Sequence, residues 1–209
     1  ENMLKKGDSD IAITFWSEDK IKKRLSWSEL KNQVAAVANY FKKKGIEKGD
    51  RVAAYLPNVP ETIIFMLASS SIGAIFSSAS PDFGVEGVLD RFGQIEPKVL
   101  VTTDGYNFNG KEINITEKVE KVVNSLRSVK DVVLVPLLNS AEIFSSNKAI
   151  IYQDLLDNYK SERLDFIKLK LDHPLYIMFS SGTTGKPKCI VHSAGGVLLK
   201  HLVEVGLHS

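Results

Sequence analysis

The chain has 209 residues, 44% of them hydrophobic, 25% charged and 9% aromatic. That length sets a prior of one to two domains, and the apolar share excludes a disordered or collagen-like chain. Twenty-seven Lys and Arg against 25 Asp and Glu give a net charge of +2, too balanced for a dedicated nucleic-acid binder.

The single cysteine, Cys189, can form neither an internal disulfide nor a thiolate metal cluster, which suits a reducing compartment and a cytoplasmic protein. The longest apolar stretch, Ile63 to Ala68, falls far short of the ~20 residues a bilayer requires, so no membrane partner is expected. Glu1 to Lys6 has no apolar run like that of a signal peptide, and the chain does not open with Met. We therefore expect a chain cut from something longer.

Ile11 to Trp16 predicts a strand, Ser17 to Lys20 a turn and Ile21 to Leu25 a returning strand whose basic residues lie on a wet edge. Ser26 and Glu29 have capping-box spacing. Leu30, Val34, Val37 and Phe41 then form one helical stripe, and Gly45 supplies the stop. Lys42, Lys43 and Lys44 complement the helix dipole as a solvated end.

Arg51 to Leu56 has the character of a buried strand, and Pro60 can open the next helix, Glu61 to Ile72. A strand over Ala74 to Ser78 precedes a short helix marked by Val85, Val88, Leu89 and Phe92. Lys98 to Thr102 predicts a strand, Asn109-Gly110 a tight turn, Val119, Val122, Val123 and Leu126 a helix, and Val132 to Val135 another strand. Strands alternating with helices imply an α/β fold: a mostly parallel sheet with flanking helices. From Pro136 to Lys170 the pattern is less regular, with a polar surface loop at Asn139 to Asn147 and a short helix at Ile150 to Tyr159.

The chemistry concentrates near the end. A strongly apolar strand, Leu175 to Phe179, runs into Ser180-Ser181-Gly182-Thr183-Thr184-Gly185-Lys186-Pro187-Lys188. Cys189 to Val191 returns as a strand, and Leu198, Leu202 and Val205 mark a helix behind Gly195-Gly196. Glycines let the backbone turn its N–H groups toward a ligand, hydroxyls add donors and lysines add charge, which together cradle a polyphosphate. It is not the usual P-loop, since only Thr183 and Thr184 separate Gly182 from Gly185 and Pro187 follows the lysine. A plain polar loop is the alternative.

Ser180 to Lys188 resembles the phosphate-binding signature of the adenylate-forming (AMP-forming) acyl-CoA synthetase superfamily at every position. The similarity extends over nearly the whole chain, through Gly49 to Asn58 and Pro60-Glu61. Ser77 to Gly84, Asp90 to Leu100, Ile190-Val191-His192 and His201-Leu202 resemble the branch that joins acetoacetate to coenzyme A, with acetate and propionate ligases, or a non-catalytic nucleotide-binding module, the competing assignments.

The resemblance implies ATP, Mg2+ and coenzyme A as cosubstrates, an acyl-adenylate intermediate, small-molecule partners and no obligate protein partner. It assigns Ser180, Ser181, Gly182, Thr183, Thr184, Gly185, Lys186 and Lys188 to the ATP phosphates. Lys188 is the stronger assignment, because Lys186 occupies the variable position of the motif and can equally be solvated. Lys111 falls near a basic position that related ligases use toward coenzyme A, with a solvated turn lysine as the plainer alternative. His192 could face the site or pack as a hydrogen-bonded histidine, and His173, His201 and His208 lack metal-ligand spacing. Helix capping and an ion pair with Arg91 account for Asp82 and Asp90. Trp16 and Trp27 are expected in the core or in strands.

A complete member of the superfamily continues well past this loop, with the adenine and ribose residues, a hinge and a small C-terminal domain bearing a catalytic lysine. The expectation is therefore that residues 1–209 form the N-terminal portion of an incomplete large domain, that no catalytic residue lies in it, and that alone it has no ligase activity.

Overall fold

A computed structural model describes residue 4 and residues 7–18, 20–138, 149–161, 163–180 and 185–207. The chain opens with an antiparallel hairpin, β1 (Ile11–Ser17) and β2 (Ile21–Ser26). Its end becomes the cap of α1 (Trp27–Lys43): the Ser26 hydroxyl accepts from the Glu29 amide while the Glu29 carboxylate accepts from the Ser26 amide. Leu30, Val34, Val37 and Phe41 are all buried, as their spacing predicts.

The order then alternates through β3 (Arg51–Tyr55), α2 (Pro60–Ser71), β4 (Ile75–Ala79), α3 (Val85–Ile95) and β5 (Val99–Thr103). A second hairpin, β6 (Gly105–Phe108) and β7 (Lys111–Asn114), turns at Asn109-Gly110. After it come α4 (Thr116–Ser125), β8 (Asp131–Val135), β9 (Ala149–Ile151), α5 (Tyr152–Asn158), β10 (Pro174–Ser180), β11 (Lys188–Ser193) and α6 (Ala194–Leu207).

Seven strands form the main sheet in the order β11-β10-β4-β3-β5-β8-β9. Every neighbouring pair is parallel except β10 with the edge strand β11. Strand residues alternate between two cores. Val52, Ala54, Val99, Val101 and Val133 meet Val34 and Phe41 of α1, Phe65 of α2 and Leu155 of α5. Ala53, Tyr55, Leu100 and Val132 meet Val88 and Phe92 of α3 and Val119 and Val122 of α4. Helices on both faces of a mostly parallel sheet are the architecture that the alternating pattern implies.

Several expectations need correction. The expected helix over Ile150 to Tyr159 begins as β9, because Ala149, Ile150 and Ile151 pair in parallel with β8. Strands β6 and β7, four residues each, flank the expected Asn109-Gly110 turn and were not themselves expected. The helix expected behind Gly195-Gly196 begins at Ala194 and holds both glycines in its first turn, where a Cβ on Gly195 would lie 2.9 Å from the Leu171 carbonyl oxygen. Trp16 lies in β1, one of its two expected settings, but not in the core: it is 62% exposed, with the Lys22 ammonium 4.7 Å from the centre of its ring. The lysines at the end of α1 are not merely solvated: Lys44 pairs with Asp131 at 2.6 Å and Lys42 with Asp165 at 3.6 Å. The polar stretch at Asn139 to Asn147 and His208 lie outside the described residues. Among the described residues no helix is long and apolar enough to cross a membrane.

Candidate functional site

The chain leaves β3 toward the α2 face and leaves β4 toward the α3 face. The strand order β4-β3-β5 reverses at β3, so the sheet's switch point lies between β3 and β5, and α/β sheets bind ligands in the crevice at the carboxyl ends there. Strand β10 lies beside β4 in parallel, registered at Tyr176↔Phe76, and the buried Ser77 hydroxyl donates 2.7 Å to the Ile177 carbonyl. Ser180 therefore leaves the sheet at the same end as Tyr55 and Ala79.

The β10–β11 hairpin carries the glycine-rich turn. Its register pairs Phe179 with Cys189 and Ser180 with Lys188, so both ends of the turn are fixed by the sheet. Ser180 is half-buried, while Gly185, Lys186 and Lys188 are exposed. Gly185 has φ +93°, a conformation that side-chain-bearing residues rarely adopt. The structure thus brings together Ser180, Gly185, Lys186 and Lys188. Ser181, Gly182, Thr183 and Thr184 lie outside the described residues.

Lys186 is 3.5 Å from Asp90 of α3, and the Pro187 carbonyl accepts from the Gln94 side chain at 2.9 Å. Asp90 therefore does not pair with Arg91. The Arg91 guanidinium instead donates to the Gly87 carbonyl at 2.6 Å and lies 3.9 Å from the centre of the Phe83 ring. Arg91 and Phe83 border a cleft of about 450 Å³ that continues along Ser77, Ser78, Tyr176 and Met178.

Asp82 is no helix cap either, since Gly84 occupies that position without a side-chain bond. The Asp82 carboxylate accepts from the Tyr106 hydroxyl at 2.6 Å and from the Ser80 hydroxyl at 2.8 Å. These bonds, Tyr106 first, hold its carboxyl below the usual range. Burial and then the Asp82 hydrogen bond push Tyr106 up to about 12. Burial, with Asp82 second, pushes Tyr55 up to about 12, and its hydroxyl donates 2.6 Å to the Phe83 carbonyl. The β4–α3 loop is thus held in one shape from two sides by buried tyrosines.

Lys111 stands apart from the turn, at the exposed start of β7. Its hairpin is fixed from below by Glu18, whose carboxylate accepts from the Asn109 and Gly110 amides at 2.5 and 2.8 Å. Among the histidines, His173 contacts the Gly73 carbonyl at 2.9 Å and His192 is half-buried on β11. Sequence reasoning missed Gln94, Tyr55, Tyr106 and Glu18. Tyr55 carried a faint signal, a polar-tipped residue at the carboxyl end of a buried strand. The others had none, because their partners are 24 to 95 residues away.

Comparison with known proteins agrees with this fold. An acetoacetyl-coenzyme A synthetase of Rhizobium meliloti (strain 1021) is 48% identical over 210 residues, covering 100% of this chain and 32% of the relative. The acetoacetyl-CoA synthetase of Macaca fascicularis is 46% identical over 216 residues with the same coverage. A malonamoyl-CoA synthetase of Penicillium aethiopicum is 36% identical, covering 96% of this chain and 29% of that protein. The solved acetoacetyl-CoA synthetase from Streptomyces lividans superimposes with a TM-score of 0.90 at 37% identity, covering 96% of this chain and 30% of that one. The chain thus spans about a third of the length of these relatives. The model of the AMP-binding enzyme family matches residues 2–205, and the chain belongs to that family.

Proposed function

We propose that the full-length protein activates acetoacetate with ATP and transfers the acyl group to coenzyme A, releasing AMP and pyrophosphate. On this reading residues 1–209 are the N-terminal portion of the large domain. The single observation that carries it is the glycine-rich turn of the β10–β11 hairpin, which leaves the sheet at the carboxyl end of its parallel strands, where α/β sheets bind ligands.

A carboxylate resists attack because resonance and charge both oppose it, and joining it to AMP supplies a good leaving group. The acid attacks the α-phosphate, pyrophosphate departs, and the thiol of coenzyme A then displaces AMP. Charge develops on phosphate oxygens in the first half, so catalysis there is positioning and electrostatic stabilisation. Ser180 to Gly185 would offer hydroxyl and amide donors to the β- and γ-phosphates, and Lys188 would offer charge. Among the described residues no three His, Cys, Asp or Glu side chains converge on one point. Magnesium would be held chiefly by phosphate oxygens and water, as its hydration preference favours. Lys111 would meet a phosphate of coenzyme A from the clamped β6–β7 hairpin.

A second reading, a ligase for another short acid, is favoured by the malonamoyl-CoA synthetase relative. Malonamate and acetoacetate share a carbonyl β to the carboxylate and differ by an amino group in place of the methyl on that carbonyl. The test is ATP–pyrophosphate exchange by the full-length protein with acetoacetate, malonamate, acetate and propionate. Acetoacetate is expected to support the fastest exchange, and Lys188→Ala to weaken it about tenfold without unfolding the protein. Exchange with acetate but not acetoacetate would reject the substrate and keep the chemistry.

A further inference from the structure

Lys188 is the lysine that the turn's motif specifies, yet it is exposed and stands at the first position of an edge strand. A long, flexible side chain in that setting needs its backbone held if its ammonium is to meet a phosphate reproducibly. Helix α3 supplies the hold through one residue. Gln94 Nε2 donates to the Pro187 carbonyl at 2.9 Å, and Gln94 Oε1 accepts from the Cys189 thiol at 3.6 Å. The carboxamide is itself oriented, because Nε2 also donates to the Asp90 carbonyl one turn back, at 2.6 Å. Both residues flanking Lys188 are therefore gripped by the same side chain.

Strand geometry gives this grip a direction. Successive side chains point to opposite faces, so Cys189 turning toward α3 sends Lys188 to the other face of the hairpin. Pro187 has no N–H, and its carbonyl is the only backbone hydrogen-bonding group it can offer. Meanwhile Lys186 is drawn to Asp90, one helical turn before Gln94. Two α3 side chains at i and i+4 thus sort the two lysines, one onto the helix and one away from it.

We propose that Gln94 is a positioning residue for ATP: by holding Pro187 and Cys189 it aims Lys188 at the phosphates. This rests on the nucleotide reading of the turn. Gln94 touches no substrate, and its effect passes through Lys188.

The test uses the full-length protein, Gln94→Met, and ATP–pyrophosphate exchange. Methionine keeps the length and helix preference of glutamine but can make none of the three bonds. The expected result is a rise of about threefold in the KM for ATP, the size that loss of exposed neutral hydrogen bonds allows. The kcat and the KM for the acid should not move. In a Lys188→Ala background the same substitution should have no further effect, which a merely structural residue would not show. Equal effects in both backgrounds, a parallel loss in every kinetic constant with a fall in Tm, or an unchanged KM for ATP would each overturn the proposal while exchange itself survives. Absence of both exchange and MgATP binding in the unsubstituted protein would overturn the nucleotide reading, and this proposal with it.

Discussion

Helices α2 and α6 have similar apolar character and opposite fates. Both are rich in apolar residues on most sides, the pattern of a helix meant to be covered all round. In α2 the promise is kept: Ile64, Phe65 and Ala68 are fully buried between α1 and the sheet. In α6 only Gly195 is buried, while Leu199, Leu202, Val205 and Leu207 are 61 to 76% exposed. The difference lies in neighbours. Strands β3, β5 and β8 sit inside the sheet with helices on both faces, whereas β10 and β11 form its edge and expose Met178, Ile190 and Val191. Apolar patterning therefore states which residues require cover, and topology decides whether this stretch of chain provides it. The interior region can be broken by one substitution; the edge region should hardly notice one.

The largest effect is expected at Phe65. Its ring is fully buried and lies 6.1 Å from that of Phe41 and 5.6 Å from that of Tyr152. Truncation removes this contact and leaves a cavity that the surrounding ring cluster cannot fill. Phe65→Ala should cost about 3–5 kcal/mol in urea unfolding of the 209-residue chain. A loss below about 1 kcal/mol would mean that the α1–α2–α5 side is loosely assembled and the contrast with α6 is smaller than it looks.

The same contrast explains what was legible in the sequence. The interior was. Periodicity marked α1, Pro60 marked the start of α2, continuous apolar runs marked β3, β5 and β8, and the Ser26–Glu29 spacing placed a cap to the residue. At the candidate site, the turn itself was legible because Gly, Ser, Thr and Lys at fixed spacing have a chemical reason to occur together. What surrounds the turn was not. Asp82 suggested a cap and instead meets Tyr106, 24 residues away; Asp90 suggested its neighbour Arg91 and instead faces Lys186. Local rules find partners within about four residues, while these contacts exist only once parallel strands bring remote loops to one end of the sheet. Buried Glu61 is another such case, paired at 2.7 Å with Lys23 of a hairpin that the sequence placed on a wet edge.

An intermediate effect is expected at the boundary of the two regions, where Tyr106 ties the second hairpin to the β4–α3 loop. Tyr106→Phe removes a hydrogen bond to a charged group but leaves the ring's packing intact. The loss should be about 1 kcal/mol at pH 7, held down because the carboxylate is solvent-exposed. The pH dependence has a definite sign. The folded Asp82 carboxyl titrates below its unfolded value of about 3.9, so its contribution is complete above that value and disappears as the pH falls through the folded one. The gap between the two proteins should accordingly close below about pH 4. A gap that stayed constant down to pH 2 would mean that the hydroxyl acts through something other than the charge on Asp82.

The smallest effect is expected at Leu202, 61% exposed on α6. Little apolar surface leaves water there on folding, and alanine is the better helix former by a few tenths of a kcal/mol. Leu202→Ala should therefore change unfolding of the 209-residue chain by less than about 0.5 kcal/mol in either direction. The measurement is made at two protein concentrations, since apolar area covered by a second copy would make stability depend on concentration. A cost above about 1 kcal/mol that vanished on dilution would show α6 to be covered after all by self-association. A cost independent of concentration would mean that the helix packs against its own chain more closely than its exposure allows.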